Sequence, residues 1–306
     1  MADGADPDDL RRADVPGIRT LSHEQTRGPA FARNRGAEAA TSDVLFFVDA
    51  DCELAPDTIG RVQTHMSTCD VMIGSYDAAP AAPETVSQFR NLLHHYTHQH
   101  AQSNASTFWG ACGAVRRTLF LDVGGFEETY ERPCVEDIEL GYRLHASGAR
   151  MRLDPDLHVT HLKRWTLKSM ILTDIFARAR PWTRLLLARR SSAGVFPDDL
   201  NTRTSEKLSV AATGMGAVGL ALSPMSWTGL LVAAAAAVGV AVLNASFYRF
   251  LAQQRSAAFA ARAFPLHLLY FGSAGAGFAL GVFDHLRAPG GSSDSLTFPA
   301  VAANDV

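Results

Sequence analysis

The chain has 306 residues, 47% of them apolar, and a formal net charge of −3, enough for one ordinary domain and something more. That balance lacks the basic excess of a nucleic-acid binder, so no nucleic-acid partner is expected. Charge is spread through the first two thirds and nearly vanishes between Leu208 and Phe247, which argues against a second soluble domain.

The opening Met1-Ala-Asp-Gly-Ala-Asp is acidic and has no apolar h-region, so no signal peptide is expected there. Residues 1–16 read as a loop leading into a short helix, and Gly17 to Leu21 as a short strand. From Gly28 to Ala40 small helix formers predominate, with Pro29 tolerable in a first turn. This helix feeds the run Val44-Leu45-Phe46-Phe47-Val48, whose unbroken apolar character predicts a strand buried on both faces inside a parallel α/β sheet. The run ends in Asp49-Ala50-Asp51, at the strand end where open α/β sheets hold ligands. One aspartate there can take a divalent cation and the other a ribose or a water. Asp-x-Asp by itself is also a common turn and cap sequence.

A helix closes over Gln63 to Thr68, and Asp70 to Gly74 reads as a second buried strand. Ala78 to Pro83 is a surface linker, followed by a helix carrying His94, His95, His98 and His100. His94 and His98 share a helical face, as a zinc pair would, but no suitable third ligand is near, so solvated or acceptor-side histidines are expected. Around Trp109 and Gly110 small residues alternate with large aromatics, a pattern that lets backbone approach a ligand. Gly124-Gly125 forms a turn, and Val135-Glu136-Asp137 opens an amphipathic helix. In its first turn the bare N–H groups and the helix dipole favour carboxylates, so Asp137 is expected to stay ionised at neutral pH. Held in a cleft, it can accept a proton from an attacking hydroxyl; the commoner use of such acids is simply to cap the helix. A short strand then ends at His161, which either completes a metal shell with Asp51, binds a diphosphate, or is an ordinary surface histidine.

Four cysteines (Cys52, Cys69, Cys112, Cys134) show neither metal-ligand spacing nor disulfide density, so reduced thiols on a cytosolic face are expected. Lys163 to Arg190 carries eight basic residues against the single acid Asp174, interleaved with apolar ones, as in a helix lying on an anionic membrane surface. Three apolar segments follow, Leu208–Leu222, Trp227–Tyr248 and Phe264–Phe283, of which the second and third are long enough to span a bilayer. The link Arg249 to Arg262 has three arginines and no acid. Positive loops inside place it and the catalytic part in the cytoplasm, giving a multi-pass protein of the cell (inner) membrane.

Taken together, GPAFARNRGAEAATSDVLFFVDAD, GACGAVRR with VGGF, the Glu136-Asp137 pair with Arg143-Leu144, and His161 resemble the family 2 inverting glycosyltransferases in order and spacing. The resemblance implies an α/β fold: a Rossmann-like, nucleotide-sugar-binding type A glycosyltransferase domain followed by an amphipathic helix and about three transmembrane helices. It implies a nucleoside-diphosphate sugar as donor, a lipid or glycan hydroxyl as acceptor, and Mg2+ or Mn2+ as cofactor. By position, Asp51 and His161 would serve the metal and Asp137 would be the general base. Asp49, Arg33 and Asn34 would lie on the nucleotide side, with Asp3 in the base-binding turn-like Ala2-Asp3-Gly4-Ala5. Glu136, Trp109, Gly110, Arg164 and Trp165 would lie on the acceptor side. His161-Leu-Lys-Arg-Trp165 is similar to the Gln-x-x-Arg-Trp motif of processive members, with His in place of Gln.

Family members usually begin with a further strand, helix and strand, so this chain reads as N-terminally incomplete, from an internal start codon or a truncation. Such a loss is expected to leave a sheet edge unpaired. The expected divisions are a catalytic domain over 1–162, a basic interfacial segment over 163–206, transmembrane helices over 207–284 and a flexible tail over 285–306. The rival expectation is a catalytically inactive membrane scaffold.

Overall fold

The computed structural model describes residues 2–3, 17–23, 25–190 and 203–287. β1 (Ala2–Asp3) pairs in parallel with β2 (Ser22–His23), matching Asp3 with His23. The strand expected at Gly17 to Leu21 is displaced: Gly17 turns with φ 85° and pairing begins only at Ser22. α1 (Pro29–Ala39) begins with proline in its first turn after Gly28. That glycine has φ 91°, and a Cβ on it would stand 2.3 Å from the Glu131 carbonyl oxygen.

The main sheet has five strands: β3 (Val44–Val48), β4 (Cys52–Leu54), β5 (Val71–Tyr76), β6 (Cys112–Arg116) and β7 (Met151–His161), in the order β3-β6-β5-β7-β4. Only β5 and β7 pair in parallel; the other three contacts are antiparallel. This corrects the sequence expectation for β3, which lies at an edge of a mixed sheet and not inside a parallel one. Its apolar run is unbroken because each face has a core to meet. Leu45 and Phe47 enter a cluster with Phe108, Phe120 and Phe126, while Val44 and Phe46 pack, half-buried, on the cluster of Met66 and Met72.

Helices α2 (Thr58–His65), α3 (Thr85–Gln99), α4 (Arg117–Asp122) and α5 (Glu136–Ala146) connect the strands. α5 approaches the 107–108 backbone closely enough that a Cβ on Gly141 would lie 2.0 Å from the Phe108 amide nitrogen. After β7 the basic stretch forms α6 (Leu167–Leu172), a π-helical segment (Thr173–Ala179) and α7 (Arg180–Arg190). It packs on the rest of the protein, a reading compatible with a place at a membrane surface: Arg180 is bound to Asp284 at 2.6 and 3.0 Å, and Arg189 lies over the Tyr142 ring at 5.3 Å.

The apolar part comprises α8 (Thr204–Leu222), α9 (Thr228–Leu243), α10 (Ala245–Gln254) and α11 (Ala257–Arg287). The second expected span, Trp227–Tyr248, is broken near Asn244, where α9 and α10 meet at 66°. Among the described residues α11 is the one unbroken helix long and apolar enough to cross a membrane, and the bent α9–α10 pair passes only if counted together. α10 and α11 are welded to α3 and the π segment's flank through Phe89, Leu92, Trp165, Met170, Phe247 and Phe259. Of the expected tail, residues 288–306 lie outside the described residues.

Candidate active site

The turn after β3 brings Asp49 and Asp51 to the end of the sheet, and β4 pairs Cys52 with His161 at the end of β7. His161 Nε2 therefore faces Asp51 Oδ2 at 3.6 Å. His161 is buried and stacked on Tyr76, with ring centroids 4.2 Å apart and planes 13° from parallel, so it is not a surface histidine. The imidazole beside it holds the Asp51 carboxyl below its ordinary range, against the opposing effect of burial. An ionised carboxylate and an imidazole at this separation fit a divalent cation that draws its other ligands from a bound substrate. Among the described residues no group of three or more His, Cys, Asp or Glu could hold a metal without such help.

Arg33, on α1, ties this side to the next: Nη2 donates to Asp49 Oδ1 at 2.7 Å and Nη1 to Glu136 Oε1 at 2.9 Å. Gly110 makes room for it, since a Cβ there would lie 3.1 Å from the guanidinium. Glu136 is buried and fully engaged, its Oε2 accepting from the Cys134 amide at 2.8 Å. Asp137 accepts from the Gly110 amide at 3.1 Å and from the Ile138 amide at 2.8 Å. Its expected ionisation is corrected. Burial, and after it the charge of Glu136, push its pKa up to about 7, more than the Gly110 amide and Arg33 offset. A helix N-terminus is worth a fraction of what desolvation costs a carboxylate drawn mostly out of water.

Two cavities lie on either side of the π segment, neither lined by Asp51, His161 or Glu136. One, of about 1300 Å³, runs along the free edge of β3 and is lined by Arg33, Asp49, Lys163 and Phe176. The other, of about 480 Å³, is lined by Asp137, Trp109, His94, His98, Arg178 and Tyr270. The π segment is the wall between them, with Thr173, Phe176 and Ala177 on the large side and Asp174, Arg178 and Ala179 on the small one.

Other expected residues lie elsewhere. Asn34 holds the loop after Gly125, exchanging hydrogen bonds with Phe126 N and O at 2.8 Å each, and unlike Arg33 it lines neither cavity, so its part here is structural. Arg164 is 72% exposed and paired with Glu84 at 2.6 Å, away from both cavities. Trp165 is a core residue, under Lys163 and Arg90. Asp3 is described only by its backbone pairing with His23. The histidines of α3 are not solvated, apart from exposed His100: His95 and His98 donate to the Tyr76 and Gly74 carbonyls at 2.7 and 3.1 Å, pinning α3 to β5. His94 and His98 do line the smaller cavity. Sequence reasoning missed Arg178; the lone acid Asp174 one helical turn before it was the only signal. All four cysteines are free.

Residues 8–124 match the sequence profile of Glycosyl transferase family 2. In that stretch the chain is similar to the family 2 glycosyltransferases. The match contains Arg33, Asp49, Asp51, Trp109 and Gly110 and ends before Asp137. Over 174 residues, 52% of the chain, it is 31% identical to the pre-mycofactocin glycosyltransferase of Mycobacterium tuberculosis, covering 35% of that protein. Over 173 residues, 47% of the chain, it is 25% identical to polypeptide N-acetylgalactosaminyltransferase 4 of Mus musculus, covering 29% of it. The chain thus spans about a third of the length of these curated relatives. In shape it is similar to the mannosyltransferase PcManGT from Pyrobaculum calidifontis, solved in complex with GDP-Man and Mn2+, at a TM-score of 0.52 and 18% identity, over 91% of this chain and 74% of that one. The fold is that of the type A glycosyltransferases.

Proposed function

We propose that this chain transfers a sugar, with inversion, from a nucleoside-diphosphate donor to a lipid or glycan hydroxyl at a membrane, using Mg2+ or Mn2+. The observation that carries the reading is the ion chain Asp49–Arg33–Glu136, which sets the strand-end aspartates beside the helix bearing Asp137. In this reading the donor occupies the cleft along β3 and the acceptor the smaller cavity. A divalent cation on Asp51 and His161 would neutralise the leaving diphosphate. Asp137 takes the proton of the acceptor hydroxyl as it attacks the anomeric carbon from the side opposite the leaving group. A carboxyl with a pKa of about 7 suits that task, because a base works best when its pKa lies near the working pH. Glu136 and Gly110 position it, and Trp109, edge-on to Tyr76 and His98 at 4.6 and 4.8 Å, offers an acceptor a flat face.

The membrane part of the reading draws on α11 and on the α8–α9 hairpin, whose tip carries Met225 at 85% and Trp227 at 70% exposure. Exposed Arg249, Arg255 and Arg262 stand near the other end of the helices, as an inward-facing basic loop would. We assign the catalytic domain to 1–162 and to the cytoplasmic side of the inner membrane on that basis.

Calorimetric titration with UDP and GDP plus Mn2+ tests the donor half, and Asp137→Asn tests the base. Transfer should vanish in that variant while nucleotide binding persists. The breadth of the cleft beside β3 favours one rival, an inactive membrane scaffold. Absence of metal-dependent nucleotide binding would establish that rival and overturn the transferase reading.

A further inference from the structure

The smaller cavity holds a charge that the reading above does not use. Arg178 lies in the π segment, deep against α3, and its hydrogen-bond partner is a neutral one: Nη1 donates to His94 Nε2 at 3.1 Å. No carboxylate comes within ion-pair distance of it among the described residues. The nearby acid, Asp174, is committed to Arg90, which is itself fully buried between the rings of Trp165 and Tyr270. His94 is kept neutral by burial and, after it, by Arg178 itself. Arg90 and Arg178 therefore have Asp174 between them, in contact with Arg90 alone, while Asp137 acts on Arg178 from farther along the same cavity. A guanidinium drawn into a protein without a carboxylate at contact distance is costly to hold. Chains retain such a cost where a ligand repays it. Asp174, on the same wall, has its Oδ2 without a hydrogen-bond partner among the described residues and so calls for a donor such as a ligand hydroxyl, not for the anion.

Much of the remaining wall is apolar, with Glu206 and Lys207 together on one part of it. Leu93, Leu186, Val210, Phe271, Ala274 and Phe278 line the cavity, and Phe278 is 58% exposed on α11, the helix fit to cross a membrane. At about 480 Å³ it is the size of an ordinary small-molecule site. We infer that Arg178, with His94, forms an anion subsite that takes an acidic group, phosphate or carboxylate, of an amphiphilic acceptor whose apolar portion lies along α11 and whose hydroxyl meets Asp137. The acceptor assignment rests on the glycosyltransferase reading; the anion subsite itself does not.

The test uses the full chain in a neutral detergent, titrated with decyl phosphate and with 1-decanol, and separately with UDP and GDP plus Mn2+. Decyl phosphate should bind roughly tenfold or more tightly than the alcohol, the gain of a charge-assisted hydrogen bond. Arg178→Met should erase that preference and leave nucleotide binding unchanged, and Arg178→Lys should retain part of it. Because the charge is kept for a ligand, unliganded Arg178→Met should melt no lower than the parent; a lower melting temperature marks a structural pairing and overturns the inference. Undiminished phosphate preference in Arg178→Met also overturns it. If that variant loses nucleotide affinity while decyl phosphate still binds, the anion is the donor's diphosphate, and the acceptor assignment falls. A preference that depends on Arg178 in a protein that binds no nucleotide supports the subsite and overturns the transferase reading instead.

Discussion

The amide of Gly110 donates to Asp137 Oδ2 at 3.1 Å, so a loop inside the family 2 match holds a carboxylate that lies beyond it. That contact, with burial and the neighbour Glu136, sets the protonation state on which the proposed role of Asp137 as base rests. With its pKa raised to about 7, Asp137 is protonated and unable to accept a proton below that value. The pH profile of kcat/KM should therefore rise through an acid limb near 7. Glu136→Gln removes a charge that raises this pKa, and should move the limb to lower pH. Arg33→Gln removes one that lowers it, and should move the limb up.

The same shift has a stability consequence of definite sign. Asp137 binds its proton more tightly folded than unfolded, so the fold is favoured at low pH and loses stability as pH rises from about 4, the unfolded value, to about 7. Asp137→Asn keeps the shape and the acceptor for Gly110 without the charge. It should melt higher than the parent at pH 8, with the gap closing toward pH 5. Differential scanning fluorimetry across that range checks it.

Packing under α5 leaves no room for one methyl group. A Cβ at Gly141 would meet the Phe108 amide nitrogen at 2.0 Å and the Thr107 carbonyl carbon at 2.5 Å, both backbone atoms that cannot swing aside. Gly141→Ala should cost about 3 kcal/mol or more and displace Asp137 with the helix. Gly60→Ala is the control: nothing lies within 4 Å of a Cβ there, and in the interior of α2 it should gain about 0.5–1 kcal/mol. Denaturant midpoints of the two variants should move in opposite directions.

Chelation separates the metal pair from the rest of the site. EDTA should remove most nucleotide affinity, and Mn2+ should restore it. Asp51→Asn, which leaves His161 stacked on Tyr76, should raise the Mn2+ concentration needed for half-maximal binding by about 10–100-fold.

What was legible in the chain was short-range. The Phe46-Phe47 strand, the acids at its end, the helix starting at Glu136 and the strand into His161 each announce themselves within a dozen residues, and each is where it was expected. Neighbours across the sheet were not legible, because an unbroken apolar run meets two cores equally well at an edge and in the interior. Asn34 was misassigned because it follows Arg33, yet one residue along a helix turns the side chain by about 100°. The pinning of α3 through His95 and His98 was hidden because their carbonyl partners, at Tyr76 and Gly74, are remote in sequence. The break at Asn244 was hidden by uniform apolarity, and the ionisation of Asp137 by a local cue that burial overrides.

The π segment carries a constraint on evolution and on engineering alike. Seven residues, Thr173–Ala179, serve as a party wall whose two sides are set by one backbone register. Deleting or inserting a residue there would rotate the whole set at once, exchanging which side chains line the cleft along β3 and which line the smaller cavity. A change of length made to reshape one cavity will therefore reshape the other, whereas a single substitution leaves the register intact.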